Sequence, residues 1–252
     1  MTPSVQVFLL ILMRVSAFIF VSPGFSLKGV PPMMKIGLSV GLSMPVYSVM
    51  SVFSVAYSFP SFMVLAIKEV LIGLAIGYIS LLFFSAAEMA GSFADAQAGF
   101  TMAALLDPSL GVNMSFLGKV YYWFALAIFF LGDLHHLMIQ AIVQSFDQVP
   151  IVATVAVVQT EGIVKLFSMV FTAAFNLAAP LMIVALLTEI LLGVLSRTVP
   201  QINVLILSMP LKVLVITIFM LAFLPVLMDN LSSFLPLMIK YTNEFIQSLS
   251  LG

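Results

Sequence analysis

Cysteine is absent from the 252-residue chain. That excludes disulfides, thiolate metal sites and a cysteine nucleophile, and it leaves the redox compartment open. Charge is scarce as well. Only 8% of residues are Asp, Glu, Lys or Arg, against about 25% in an average soluble domain. With 63% of residues hydrophobic, the chain lacks the polar groups to cover its own surface, so water alone is not its solvent. Net charge is −1, and without a basic excess there is no electrostatic footprint for nucleic acid. Catalytic fingerprints are missing too. No His-Glu-x-x-His, P-loop or dinucleotide glycine motif occurs, and Ser and His are too scattered for a triad. On this basis no catalytic, cofactor-binding or metal-ligating residue is assigned. The first residues, Met1-Thr2-Pro3-Ser4, carry no basic side chain, and Arg14 interrupts the apolar run. The first segment therefore reads as a retained helix rather than a signal peptide.

What is present is a series of long apolar runs. A spanning helix needs about 20 mainly apolar residues. Six segments qualify as apolar helices, at 5–22, 36–58, 62–88, 119–145, 164–196 and 202–228. A last stretch, 231–249, alternates apolar and polar residues and reads as interfacial. Ser22-Pro23-Gly24, Val30-Pro31-Pro32 and Thr198-Val199-Pro200 punctuate the runs, because proline cannot easily continue a helix. No domain boundary or linker interrupts the chain, so 1–252 reads as one all-α, membrane-type unit of helical hairpins. Ile36-Gly37-Leu38-Ser39-Val40-Gly41 echoes Ile72-Gly73-Leu74-Ala75-Ile76-Gly77. Each holds Gly-x-x-x-Gly, a spacing that lets helices approach closely.

The most informative pattern is a stripe on the third segment. Glu69, Gly73, Gly77, Ser80, Phe84, Glu88, Gly91, Asp95 and Gly99 recur at steps of three or four. At about 100° per residue they stay within roughly one third of the helix circumference. A helix over 69–99 would be about 46 Å long, more than the roughly 30 Å of a hydrocarbon core. Lipid does not tolerate three carboxylates on an exposed face, so this side must meet protein or an aqueous path. Two readings stay open: packing inside the chain, or a partner interface or pore face. A stand-alone secondary transporter, with Glu69, Glu88 and Asp95 as ion sites, is the alternative function. A second polar pattern comprises Asp133, His136, Gln140, Gln144 and Asp147, with His135 beside it. Adjacent histidines on a helix are expected to diverge, which argues against a metal there.

Taken in order, these motifs resemble the FliR family of type III export gates. The resemblance runs from Arg14 through Pro23, Pro31, Lys35, Lys68-Glu69, Gly73 and Gly77. It continues in the block Ala90-Gly91-Ser92-Phe93-Ala94-Asp95-Ala96-Gln97-Ala98-Gly99-Phe100, Asp107-Pro108, His135, Ser145-Phe146 and Pro150. Its most specific part is Arg197-x-x-Pro200-Gln201-x-Asn203, followed by Pro210-Leu211-Lys212. The chain departs from the family pattern at Asp95, where many members carry Gly, and at Asp133-Leu134, where they carry a small dipeptide.

The resemblance implies a non-enzymatic subunit of a flagellar protein-export gate in the inner membrane and basal body. It implies a fold like a fusion of the FliP and FliQ partner folds, and assembly with FliP-like and FliQ-like subunits and an FlhB-like switch protein. The cargo would be unfolded flagellar proteins. It also implies that the loop over 100–118 is a pore plug, with Phe100, Met102, Asp107, Pro108, Asn113, Met114 and Phe116 as its working residues. No cofactor is implied.

Overall fold

The computed structural model describes residues 2–27, 29–49, 57–99, 115–152, 160–198 and 204–250. Among the described residues eight helices follow one another. They are α1 (Pro3–Val21), α2 (Pro32–Val49), α3 (Phe59–Ala98) and α4 (Phe116–Leu131). After them come α5 (Leu134–Gln148), α6 (Thr160–Thr198), α7 (Val204–Phe234) and α8 (Pro236–Ser250). The described residues are all-α, as expected.

Among the described residues four stretches are long and apolar enough to cross a membrane: Pro3–Val21, Phe59–Ala98, Gly162–Thr198 and Pro210–Leu249. α4 and α5 add a fifth if the pair, broken between Leu131 and Leu134, counts as one span.

The boundaries follow local chemistry. Proline opens α1 and α2, where its missing N–H would have had no helical partner anyway. α3 runs 40 residues, about 60 Å at 1.5 Å per residue. It therefore extends ten residues past the expected end, through the Ala90–Ala98 block. Gly99 stops it in a left-handed conformation, φ +85°, with its N–H on the Asp95 carbonyl; that is the usual place for glycine.

The fourth apolar segment, expected as one helix over 119–145, is two. Asp133 has φ +55°, a left-handed value that Asp adopts more readily than most residues. It follows Gly132, and α5 starts anew. The expected interfacial stretch is likewise helical. α7 ends before Leu235 because Pro236 offers no N–H to continue the ladder, and α8 resumes at once. Its alternation is amphipathic: Met238, Thr242, Ile246 and Leu249 are buried, one stripe at helical spacing.

The chain divides into two compact units. The first comprises Met1–Phe83, Phe129–Leu166 and Pro236–Gly252. In it α1 packs on α2, and α5 on α8. Its core is built from Leu10, Ile11, Phe18 and Ile19 of α1, Ile76 of α3, Met138 and Ile142 of α5, and Met238 of α8. The second comprises Phe84–Ile128 and Phe167–Leu235. Here α3 buries Ala87, Ala90, Ala94 and Ala98, while α6 buries Ala174, Ala178 and Ala185. Large apolar side chains of α6 and α7, such as Phe171, Leu191 and Leu221, are exposed instead.

Candidate functional site

α3 carries two polar clusters, one in each unit. In the first, Arg14 lies fully buried in the middle of α1. A charge in such a place must be paired, since an isolated buried ion is too costly. Its Nε donates to Glu69 Oε2 on α3 at 2.5 Å, and Glu69 is itself fully buried. Nη1 donates to the Ser145 carbonyl at 2.9 Å and to Ser145 Oγ at 3.0 Å. Nη2 donates to the Val149 carbonyl at 2.9 Å. The guanidinium also sits 4.0 Å from the centre of the Phe146 ring.

Lys68 adds a second cation. Its Nζ donates to the carbonyls of Pro150 and Ile151 at 3.1 and 2.5 Å and lies 3.3 Å from Glu69 Oε1. The Val149 carbonyl lies just past the last turn of α5, where helical backbone has no internal donor, while the Ser145 carbonyl also accepts from the Val149 N–H at 2.9 Å. Arg14 supplies the donor at Val149 and Lys68 those at Pro150 and Ile151, and their charge suits the negative end of the helix. One acid and two cations thus clamp α1, α3 and the end of α5.

The same helix faces are pressed together just beyond. A Cβ at Gly73 would collide with the Arg14 carbonyl oxygen, and one at Gly77 would lie 3.0 Å from Val21 Cβ and 3.1 Å from the Phe18 carbonyl oxygen. Ser80 completes the contact through a 3.1 Å hydrogen bond with Ser22. The echo motif behaves differently. A Cβ at Gly37 or Gly41 would meet nothing within 4 Å, so only one of the two Gly-x-x-x-Gly patterns marks a close crossing.

In the second unit, α3 meets the start of α4. Gly91 lies against backbone: an added Cβ there would fall on Leu117 and Gly118. Asp95 is buried and accepts from the Leu117 N–H at 3.0 Å and from the Ser115 hydroxyl. Ser115 Oγ in turn accepts from the Gly118 N–H at 2.8 Å. Two of the four unpaired N–H groups that open α4 are thereby satisfied, one by an N-cap serine and one from the neighbouring helix. Glu88, exposed in part, pairs with Lys119 at 2.6 Å. Replacing Asp95 with alanine removes both acceptor oxygens from a buried cap. It is expected to cost about 1–3 kcal/mol, with Asp95→Asn milder because one acceptor remains. Thermal unfolding of the purified variants in detergent, followed by circular dichroism, checks the order.

The stripe residues therefore find intrachain contacts, except Gly99, which ends the helix. Elsewhere, Lys212 lies 3.4 Å from Glu189, and Arg197 sits in the exposed last turn of α6. Pro200, Gln201 and Asn203 lie outside the described residues, as do Phe100, Met102, Asp107, Pro108, Asn113 and Met114. Of the expected plug residues only Phe116 is described; it is 62% exposed at the start of α4. Sequence reasoning missed that Arg14, Lys68-Glu69, Ser145-Phe146 and Pro150 meet at one place. The available signal was a lone arginine in one apolar helix and a lone Lys-Glu pair in another.

The profile of the bacterial export proteins, family 1, matches residues 5–237. The chain belongs to that family. Within it, the chain is 34% identical over 212 residues to the flagellar biosynthetic protein FliR of Bacillus subtilis strain 168, covering 82% of each. It is 30% identical over 226 residues to FliR of Escherichia coli K12, covering 86% of this chain and 83% of the other. The Yop proteins translocation protein T of Yersinia pestis is 35% identical over 153 residues, covering 60% and 59%. The resemblance read from the motifs is thus borne out, and both clusters of α3 lie inside the segment that defines the bacterial export proteins of family 1.

Proposed function

We propose that this chain is a non-enzymatic subunit of a flagellar type III protein-export gate and helps form the channel for unfolded flagellar proteins. The observation that carries the reading is the match to two flagellar biosynthetic proteins over 82% and 86% of the chain. The translocation protein of Yersinia pestis matches over 60%, which favours the flagellar branch. The partners are FliP-like and FliQ-like subunits and an FlhB-like switch protein, in the inner membrane at the basal body.

One feature of the chain supports an assembled subunit over a solitary transporter. The carboxylates Glu69, Glu88 and Asp95 are engaged in an ion pair with Arg14, an ion pair with Lys119 and a helix cap, so none is held ready for an ion. Large apolar faces also lie uncovered: in the candidate span Pro210–Leu249 only 11% of the most apolar window is buried within the chain. Such a surface calls for lipid or other subunits.

Mild detergent extraction through a tag on this chain, followed by mass measurement, tests the reading. Co-elution of further apolar export chains in fixed ratio is the expected result. A stable, monodisperse monomer from cells that hold all the flagellar genes would sink it.

A further inference from the structure

We propose that Asp133, His135 and His136 form a binding site for one divalent transition-metal ion of the zinc and cobalt class, at the break between α4 and α5. This goes beyond any role in export and rests on side-chain geometry alone. Adjacent histidines on a regular helix are set about 100° apart, the reason to expect no ligand pair there. In the folded chain the two rings instead turn toward each other, with centroids 4.0 Å apart. One ligand atom from each of Asp133, His135 and His136 lies within 4.8 Å of the other two. Among the described residues no other three His, Asp or Glu side chains do this.

The separation of His136 from Asp133 suits an ion better than it suits a hydrogen bond. His136 Nδ1 and Asp133 Oδ1 are 3.3 Å apart, beyond the 2.7–3.2 Å of an ordinary N–H···O bond. Two ligands bound tetrahedrally at about 2.0–2.2 Å from a zinc ion stand about 3.4 Å from each other. His135 supplies a second sign. Its Nδ1 is enclosed by protein and has no hydrogen-bond partner, and Phe129 and Phe130 pack near its ring, with centroids 6.2 and 5.2 Å away.

Two imidazoles and one carboxylate are the donor set of borderline divalent ions, not of magnesium or calcium. Asp133 and His136 face solvent, so the remaining coordination positions are open to water. The left-handed backbone at Asp133 is what places its carboxylate across from the first turn of α5. A cation at a helix N-terminus works against the helix dipole, and for a divalent ion at a solvent-facing site that penalty reaches about thirtyfold in affinity.

The test uses the full chain in detergent, purified with a streptavidin-binding tag in place of polyhistidine and stripped with a chelator. Cobalt(II) is titrated in and its visible ligand-field absorption recorded, and zinc(II) is then added as competitor. Saturation at one equivalent per chain, with displacement by zinc, is expected. His136→Ala and Asp133→Asn are each expected to weaken binding by about tenfold or more. Asn is as comfortable as Asp in the left-handed conformation, so the second variant removes the ligand without disturbing the break. Circular dichroism without metal confirms that each variant is folded. The proposal is overturned if the intact chain takes up no cobalt at one equivalent, if magnesium or calcium competes as well as zinc, or if Asp133→Asn or a folded His135→Ala/His136→Ala chain binds cobalt as tightly as the intact chain.

Discussion

Replacing Arg14 with methionine is expected to abolish accumulation of the folded chain. The side chain keeps an unbranched apolar stem, but the guanidinium and its charge are gone. Glu69 then remains fully buried, with Lys68 at 3.3 Å as its remaining charged partner. The Val149 carbonyl loses its Arg14 donor at the same stroke, and the Ser145 carbonyl keeps only the Val149 N–H. Breaking a buried pair by removing one partner costs about 3–5 kcal/mol, a large share of the 5–15 kcal/mol that a folded protein typically has in hand.

Two companion variants separate charge from shape. Arg14→Met combined with Glu69→Leu removes both ions and is expected to recover part of the loss, because an apolar pair of similar volume is often neutral relative to a buried ion pair. Recovery stays incomplete, since the end of α5 is still short of donors, at about 1–3 kcal/mol for a buried unsatisfied group. Arg14→Lys keeps the charge yet cannot reach an acid and two carbonyls from one planar fork, so it falls between wild type and methionine. Membrane-fraction immunoblots and thermal unfolding in detergent read all three. Wild-type stability in Arg14→Met would mean that the network does not hold the fold.

The helices were largely legible in the sequence because apolar runs of spanning length have few other uses. Their ends were less so. Periodicity alone carried α3 only to residue 88, since small residues give a weak hydrophobic signal, yet Ala90, Ala94 and Ala98 are all buried. The break at Asp133 was hidden because Gly132-Asp133 sits between apolar runs that each continue the helical pattern; the left-handed φ is a backbone property that residue type only permits. The stripe on α3 was visible as a face. Its partners were not, because long-range pairing leaves no spacing signature: Arg14 and Glu69 are 55 positions apart, and Arg14 and Ser145 are 131 apart. Gly162, which falls just before the segment expected at 164–196, stands in the first turn of α6.

Gly91→Leu is expected to be the most damaging exchange of a single glycine in the second unit. Every atom that its Cβ would strike belongs to backbone, the Leu117 carbonyl and the Gly118 nitrogen. A side chain in the way can rotate aside; a carbonyl in the first turn of a helix cannot. The start of α4 has to move off α3, and that motion pulls Ser115 and Leu117 away from Asp95, so the cap fails together with the packing. Gly118 reports the same closeness from the other side, with a hypothetical Cβ 2.9 Å from the Glu88 carbonyl oxygen. Overpacking a well-filled contact costs about 1–3 kcal/mol, and losing the N-cap adds about 1 kcal/mol.

Because the Cβ itself is the offender, Gly91→Ala carries much of the penalty of Gly91→Leu, although alanine is the better helix former by about 1 kcal/mol. Gly162→Leu and Gly193→Leu are the controls. Nothing lies within 4 Å of a Cβ at either position, so helix propensity alone acts and stability holds or rises slightly. The four variants are compared by thermal unfolding in the same detergent and by the yield of the tagged chain from membranes. If Gly91→Ala unfolds at the wild-type midpoint, α3 and α4 do not cross as closely as the backbone places them. If the two control leucines prove as harmful as Gly91→Leu, the loss follows from added bulk at any glycine and not from this crossing.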